Sequence, residues 1–178
     1  YKVAVKNGKL AFSDPYVKAS SGVGISIVSP FYNEGKVLGV VAVDIKLESI
    51  GALLKDLSSS DQSIGLLLDE AGSVIVSSNP KFSPKVVNED IIPLPLQNLP
   101  SKLPSLALIF NPNKSNSPFI FVEPQSGIEY IATINEMPPE FTKRWQILIV
   151  SPINDFAGLL IENNKVILLV GAFGLFIQ

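Results

Sequence analysis

One carboxylate stands where an acid has little reason to be. Asp44 closes the run Val40-Val41-Ala42-Val43-Asp44-Ile45, whose β-branched residues read as a strand. A carboxylate there needs a partner to offset its desolvation. Two partners are open to it. Asp44 could cap the helix that begins near Leu47, or it could meet a ligand of opposite charge, since a carboxylate–ammonium contact in a partly desolvated pocket is a strong charge-assisted bond.

Enzymatic constellations fare poorly beside it. The chain has no histidine and no cysteine, which excludes His-based triads, imidazole metal ligands, thiol catalysis and disulfides. Ser78-Asn79-Pro80-Lys81 has Ser-x-x-Lys spacing, but it follows a strand and places proline where the nucleophile's helix would begin. Glu123, Glu129, Glu136 and Glu140 lack the pairing of glycosidase acids and read as loop and surface groups. Asp69-Glu70 and Glu89-Asp90 resemble no dedicated calcium loop. Asp14, before Pro15, reads as a turn former, and Trp145 beside Arg144 as a packing anchor. No catalytic residue, metal site or cofactor is expected.

Composition agrees. The 178 residues are 47% apolar and 17% charged, enough to fill a core and too hydrophobic for disorder. Fourteen basic against sixteen acidic residues leave a net charge of −2, and Arg144 is the sole arginine, so no nucleic-acid partner is expected. Val166 to Ile177 carries no charge. Too short to span a bilayer, which takes roughly 20 residues, it reads as the outer part of a transmembrane helix.

The elements that must position Asp44 follow from periodicity. Val23 to Phe31 and Val37 to Ile45 read as strands joined through Tyr32 to Lys36, with Gly35 in the turn. Tyr1 to Val5 and Lys9 to Phe12 flank Asn7-Gly8 and read as a further hairpin of an antiparallel meander. Leu47, Ile50, Leu53, Leu54 and Leu57 recur at helical spacing. Ser58 to Asp61 is a polar linker. Strands resume at Ile64 to Leu68 and Ser73 to Ser77 across the turn Asp69 to Gly72. The proline-rich stretch Lys81 to Asn113 predicts loops with one or two helical turns. Phe119 to Val122, Tyr130 to Asn135 and Trp145 to Val150 complete the strands, and Asn154 or Asp155 can cap a helix carrying Phe156, Leu159 and Leu160. Two strand-to-helix transitions, Val43 to Gly51 and Val150 to Gly158, form a weak internal repeat in which Ser151 answers Asp44.

Several segments together resemble double Cache (dCache) sensor domains. Phe12-Ser13-Asp14-Pro15-Tyr16, Val28-Ser29-Pro30-Phe31 and Gly35 to Ile45 look like the second half of the distal module. Ile64 to Ile75 resembles the opening hairpin of the membrane-proximal module, and Trp145 to Pro152 its last strand. The resemblance implies an α+β fold of two PAS-like modules with antiparallel sheets, the distal one incomplete. Residues 1–58 would be the distal part with its exit helix, 59–153 the proximal module, and 154–178 a juxtamembrane helix entering the membrane.

Such domains are sensors outside the cytoplasm on bacterial receptors. The resemblance therefore implies residues 1 to about 160 outside the inner or plasma membrane, a small-molecule ligand of the amino-acid or amine class, and a homodimer formed through a stalk helix upstream of Tyr1. A helix displacement would reach a cytoplasmic chemoreceptor, histidine kinase or nucleotide cyclase domain, the last being the nearest likeness. Carried over position by position, the ligand-binding residues would be Asp44, Tyr16 and Tyr1, the tyrosines offering cation–π faces and hydroxyls. A membrane-anchored adhesion or assembly module without a small ligand is the alternative.

Overall fold

The computed structural model describes residues 1–18, 22–58, 60–99, 118–124, 126–138 and 142–155. It is an α+β structure of two main antiparallel sheets with a helix between them, and a third, two-stranded sheet, an α+β class expected from the strand and helix periods.

The first sheet is built on one long hairpin. β3 (Val23–Asn33) and β4 (Lys36–Lys46) are joined by Glu34 (φ 49) and Gly35 (φ 76), both in the left-handed conformation that lets a two-residue turn match the twist of the strands. The register slips once: Tyr32 faces Val37 and Phe31 faces Gly39, leaving Leu38 as an extra residue. The Phe31 ring lies across Gly39, where a Cβ would sit 2.5 Å from Cζ, so a larger residue there would displace the ring. On the other side of β3, two short strands share its length. β1 (Ala11–Phe12) pairs with Ile27 and Val28, and β2 (Tyr16–Val17) pairs with Val23 and Gly24.

The chain start departs from the expected hairpin. Residues Lys2–Asn7 form α1, and Gly8 (φ 65) closes it by donating its N–H to the Ala4 carbonyl. Asn-Gly signals a hairpin only when strands flank it; here the Asn7 amide donates to Val3 O and Ala4 is fully buried beneath the helix. The glycine's left-handed freedom ends a helix instead.

α2 (Leu47–Asp56) leaves β4 directly and lies against the second sheet. Leu47, Gly51 and Leu54 are its buried positions, whereas Leu53 and Leu57 are each 57% exposed, so only part of the expected apolar stripe is used. The second sheet comprises β5 (Ile64–Leu68), β6 (Ser73–Ser77), β9 (Leu94–Pro95), β10 (Phe119–Val122), β11 (Glu129–Glu136) and β12 (Gln146–Pro152), in the order β10-β11-β12-β5-β6-β9. Alternation along the strands splits their side chains between two cores. Leu66, Leu68, Ala132, Leu148 and Val150 face one way. Leu67, Ile75 and Val76 face the other, toward Leu47 and Leu54 of α2 and toward Phe12 and Ile25 of the first sheet.

Trp145, 4% exposed, anchors this second core, its ring edge-on to Phe12 with centroids 6.4 Å apart. The Phe12 N–H donates to Thr142 Oγ1, and Lys143 pairs with Asp14. The packing role expected of Trp145 therefore extends to holding the two sheets together.

Between Lys81 and Leu99 the proline-rich segment has the expected helical turns, at Pro80–Phe82 and Leu96–Asn98. It also holds an unexpected hairpin, β7 (Lys85–Val87) with β8 (Asp90–Ile92), across Asn88 (φ 51) and Glu89 (φ 67). Helical backbone follows β12 at 153–155, in keeping with the repeated strand-to-helix exit. Phe156, Leu159, Leu160 and the run Val166 to Ile177 lie outside the described residues. Among those described, no helix is long and apolar enough to cross a membrane.

Candidate functional site

The pairing of β2, β3 and β4 brings three polar side chains together on one face of the first sheet. Ser26 lies directly opposite Asp44, and Tyr16 opposite Gly24, one diagonal step from Ser26. Ser26 Oγ donates to Asp44 Oδ1 at 2.7 Å, and the Tyr16 hydroxyl lies 2.9 Å from Ser26 Oγ. Serine has one proton to give, and it goes to the carboxylate, so Tyr16 donates to Ser26. The result is a proton-ordered relay, Tyr16 to Ser26 to Asp44. Ser13 locks the Ser-Asp-Pro-Tyr segment in place: its N–H donates to Ser26 O, and its hydroxyl accepts from Ser26 N at 2.9 Å.

Lys18 completes the group. Its ammonium is 3.5 Å from Asp44 Oδ2. Its aliphatic stem runs over Gly24, where a Cβ would come within 2.8 Å of Lys18 Cδ, so the missing side chain of Gly24 is what lets lysine lie flat on the sheet. The Ser26 hydrogen bond first, then that of Tyr16, and more weakly the Lys18 charge hold the Asp44 carboxyl below the usual carboxylate range, against a partial desolvation that raises it. Asp44 is an ionised, 44% exposed carboxylate with an ammonium beside it.

Of the residues singled out from sequence, Asp44 and Tyr16 are brought together. Tyr1 is not joined to them by a hydrogen bond among the described residues; it stands at the N-terminus of α1, 74% exposed. The capping reading of Asp44 does not hold, because Lys46 is the N-cap of α2 and no side chain caps that helix. Ser26 and Lys18 were missed. Ser26 is a hydroxyl in the alternation Val23, Ile25, Ile27, but only the bulge at Phe31/Tyr32 sets it opposite Asp44.

The remaining motifs have structural explanations. Ser78 Oγ accepts from Gly65 N, and Asn79 caps the turn at Pro80 by accepting from Lys81 N. Asp69 Oδ1 closes its hairpin by accepting from Ala71 and Ser73. Glu123 is no surface group: it is 1% exposed and accepts from Ser126 N at 2.6 Å. Burial, then Glu123 and Asp155, push the Tyr130 hydroxyl pKa up. Glu140 lies outside the described residues. Ser151, the repeat counterpart of Asp44, is 3% exposed and accepts from Ser63 Oγ at 2.7 Å, so the second sheet has a buried hydroxyl pair where the first has the exposed carboxylate. Among the described residues no cluster of three or more acidic side chains could hold a metal ion.

Comparison with known proteins agrees with this fold. Residues 1–52, the segment that carries Tyr16, Ser26 and Asp44, match the family described as the first PDC sensor domain of methyl-accepting chemotaxis protein-like receptors. The methyl-accepting chemotaxis protein PscA of Pseudomonas syringae pv. tomato is 28% identical over 90 residues, covering 50% of this chain and 14% of that protein. The ligand-binding domain of the Pseudomonas fluorescens chemoreceptor CtaA, solved with L-isoleucine, superposes with a TM-score of 0.59 at 19% identity, covering 88% of this chain and 58% of that one. That of the Pseudomonas aeruginosa amino acid chemoreceptor PctB, solved with L-Arg, gives 0.58 at 18%, covering 85% and 58%. The extracellular domain of the putative histidine kinase mmHK1S-Z3 gives 0.55 at 15%, covering 91% and 56%. The fold is that of the Cache, or PDC, sensor domains. The chain spans little more than half of these solved domains.

Proposed function

We propose that this Cache-type chain is the ligand-sensing, non-catalytic region of a transmembrane signalling receptor, exposed outside the cytoplasm, and that it binds an amino acid or amine at Asp44. One observation carries the reading: Asp44, ionised and aligned by the Tyr16–Ser26 relay, already holds an ammonium, that of Lys18. A ligand's amino group would take the same position, with Lys18 swinging away and the Tyr16 ring beside it as a cation–π face. The PctB and CtaA ligand-binding domains were solved in complex with L-Arg and L-isoleucine, which supports this ligand class.

In this reading residues 1–58 are the membrane-distal part, 59–153 the proximal module and 154–178 the route into the membrane. Tyr1, at the start of α1, is the third proposed contact. Asp44 lies three residues before α2, so a ligand that draws β4 toward β2 shifts that helix against the second sheet. Such a shift is driven only by the ligand's differential affinity for the two arrangements. The chemoreceptors and the histidine kinase among the similar proteins favour those outputs over the cyclase raised by the sequence.

A thermal-shift screen with amino acids, amines and small carboxylates tests the proposal, with Asp44→Ala run in parallel. A ligand at 100 times its Kd stabilises by about 2.7 kcal/mol. Stabilisation by an amine-bearing compound that disappears in the variant is the expected result. Stabilisation that survives the substitution would move the site away from Asp44.

A further inference from the structure

A cavity separate from the Asp44 cluster lies where the two sheets meet. It opens between α2 and β6 with a volume of about 450 Å³, within the range of small-molecule sites. Its walls are apolar: Val23 and Leu47 from one sheet and its exit helix, Ile75 and Val76 from β6, Pro84 and Ile91 from the β7–β8 region. The helix side of the cavity is Glu48, Gly51, Ala52 and Lys55, one face of α2 at helical spacing. Gly51 is the point where the helix meets β6 and the small side chain of Ala52 leaves the room beside it, while the two charges mark opposite ends, about 10.5 Å apart along the helix.

The ends are not equivalent. At Lys55 the cavity runs into a polar recess of about 720 Å³ that shares Lys55, Ser78 and Pro80 and adds Ser58, Asn79 and, outside the apolar cavity's own lining, Asp61. Lys55 has no ion pair among the described residues. An anion is favoured at this end by the Lys55 ammonium and disfavoured at the Glu48 end. We infer that the cavity takes a monocarboxylate with an apolar body, its carboxylate at Lys55 and its hydrocarbon between α2 and β6. The ligand would touch both the exit helix of the first sheet and the second sheet, and so would favour the arrangement in which they are docked. This site is separate from the Asp44 cluster and does not rest on it.

Isothermal titration of the chain with butanoate, hexanoate, octanoate and octanedioate tests the inference. Each added methylene should tighten binding about three- to fourfold from butanoate to octanoate, and octanedioate should bind at least about tenfold more weakly than octanoate because its second carboxylate meets Glu48. Ala52→Leu fills the cavity from an exposed, helix-compatible position and should abolish octanoate binding. Lys55→Gln should weaken it about tenfold, Glu48→Gln should restore octanedioate, and Asp44→Ala should change neither. Octanoate binding unaltered by Ala52→Leu in a folded protein, equal affinities for octanoate and octanedioate, or no binding of any of the four acids would overturn it. Amine binding lost with Asp44→Ala while octanoate binding persists separates this site from the one proposed above.

Discussion

Gly51 of α2 lies so close to Ser77 of β6 that a Cβ at position 51 would stand 2.8 Å from the Ser77 carbonyl oxygen. The contact is to backbone within a sheet, which cannot rotate aside. Gly65 makes the reciprocal approach, with a Cβ there 3.1 Å from Leu54 Cβ and 3.2 Å from Leu54 O. Helix and sheet meet through two glycines, and at Gly51 any side chain would force the helix or the strand to shift.

Gly51→Ala is therefore expected to destabilise the protein. Alanine gains about 1 kcal/mol in helix propensity over glycine, but overpacking a tight contact costs about 1–3 kcal/mol, and the immovable carbonyl puts this site at the upper end. Urea denaturation should show a net loss of about 1–2 kcal/mol. A stability equal to or above wild type would mean that α2 can lift from the sheet without cost.

The ionisation of Asp44 sets a pH dependence. Its carboxyl titrates below the ordinary range in the folded state, so the protein gains stability from it wherever the unfolded carboxyl is ionised and loses that contribution as pH falls through about 3.9 and below. The stability difference between wild type and Asp44→Asn should be constant from pH 8 to about 5 and shrink below about 4. Amine affinity should follow the same profile.

Lys18 competes with the ligand in the proposed reading. Lys18→Met keeps the stem over Gly24 and removes the ammonium that Asp44 holds. Affinity for an amine should rise several-fold, by an amount that shrinks with added salt as expected for a partly exposed pair. Unchanged or weaker titration would place the ligand's amino group elsewhere.

Removal of the Tyr16 hydroxyl isolates the relay. Tyr16→Phe takes a donor from Ser26 but leaves the Ser26–Asp44 bond. Stability should fall by about 0.5–1.5 kcal/mol, and the acid limb of the pH profile should move upward toward the ordinary carboxylate value, since Tyr16 is the second contributor to the depression. Ser26→Ala, removing the first, should move it further.

Trp145 reports on how the sheets dock. It is the sole tryptophan, 4% exposed and edge-on to Phe12. Trp145→Ala should cost about 3–5 kcal/mol. Phe12→Ala should red-shift its fluorescence by admitting water to the contact; an unshifted spectrum would show that the ring is shielded from the second sheet alone.

Much was legible in local chemistry. The strands Ile64 to Leu68 and Ser73 to Ser77, with their Asp69 to Gly72 turn, follow from alternation bounded by turn residues, and α2 follows from its three- and four-residue spacing. Asp44 stood out because a carboxylate amid valines needs a partner. Those signals sit within a few residues of one another, where covalent geometry alone limits the outcomes. The Asn7-Gly8 segment shows the limit: a glycine with positive φ serves a turn or a helix end equally well, and only burial of Ala4 beneath α1 chose the latter.

What partners Asp44 was decided in three dimensions. Counted from the Glu34-Gly35 turn without a bulge, Asp44 would face Ile25; the extra residue Leu38 moves it opposite Ser26 and turns an apolar pairing into a hydrogen-bonded one. Lys18 reaches the same carboxylate because Gly24 leaves its stem a flat path. The cavity beside Gly51 exists only because α2 crosses to a sheet made of strands that follow it in the chain. Sequence determined which residues form strands and a helix and which carboxylate lacked a local partner. Register, close approach and the meeting of the two sheets depend on contacts between distant residues, and those only the folded chain supplies.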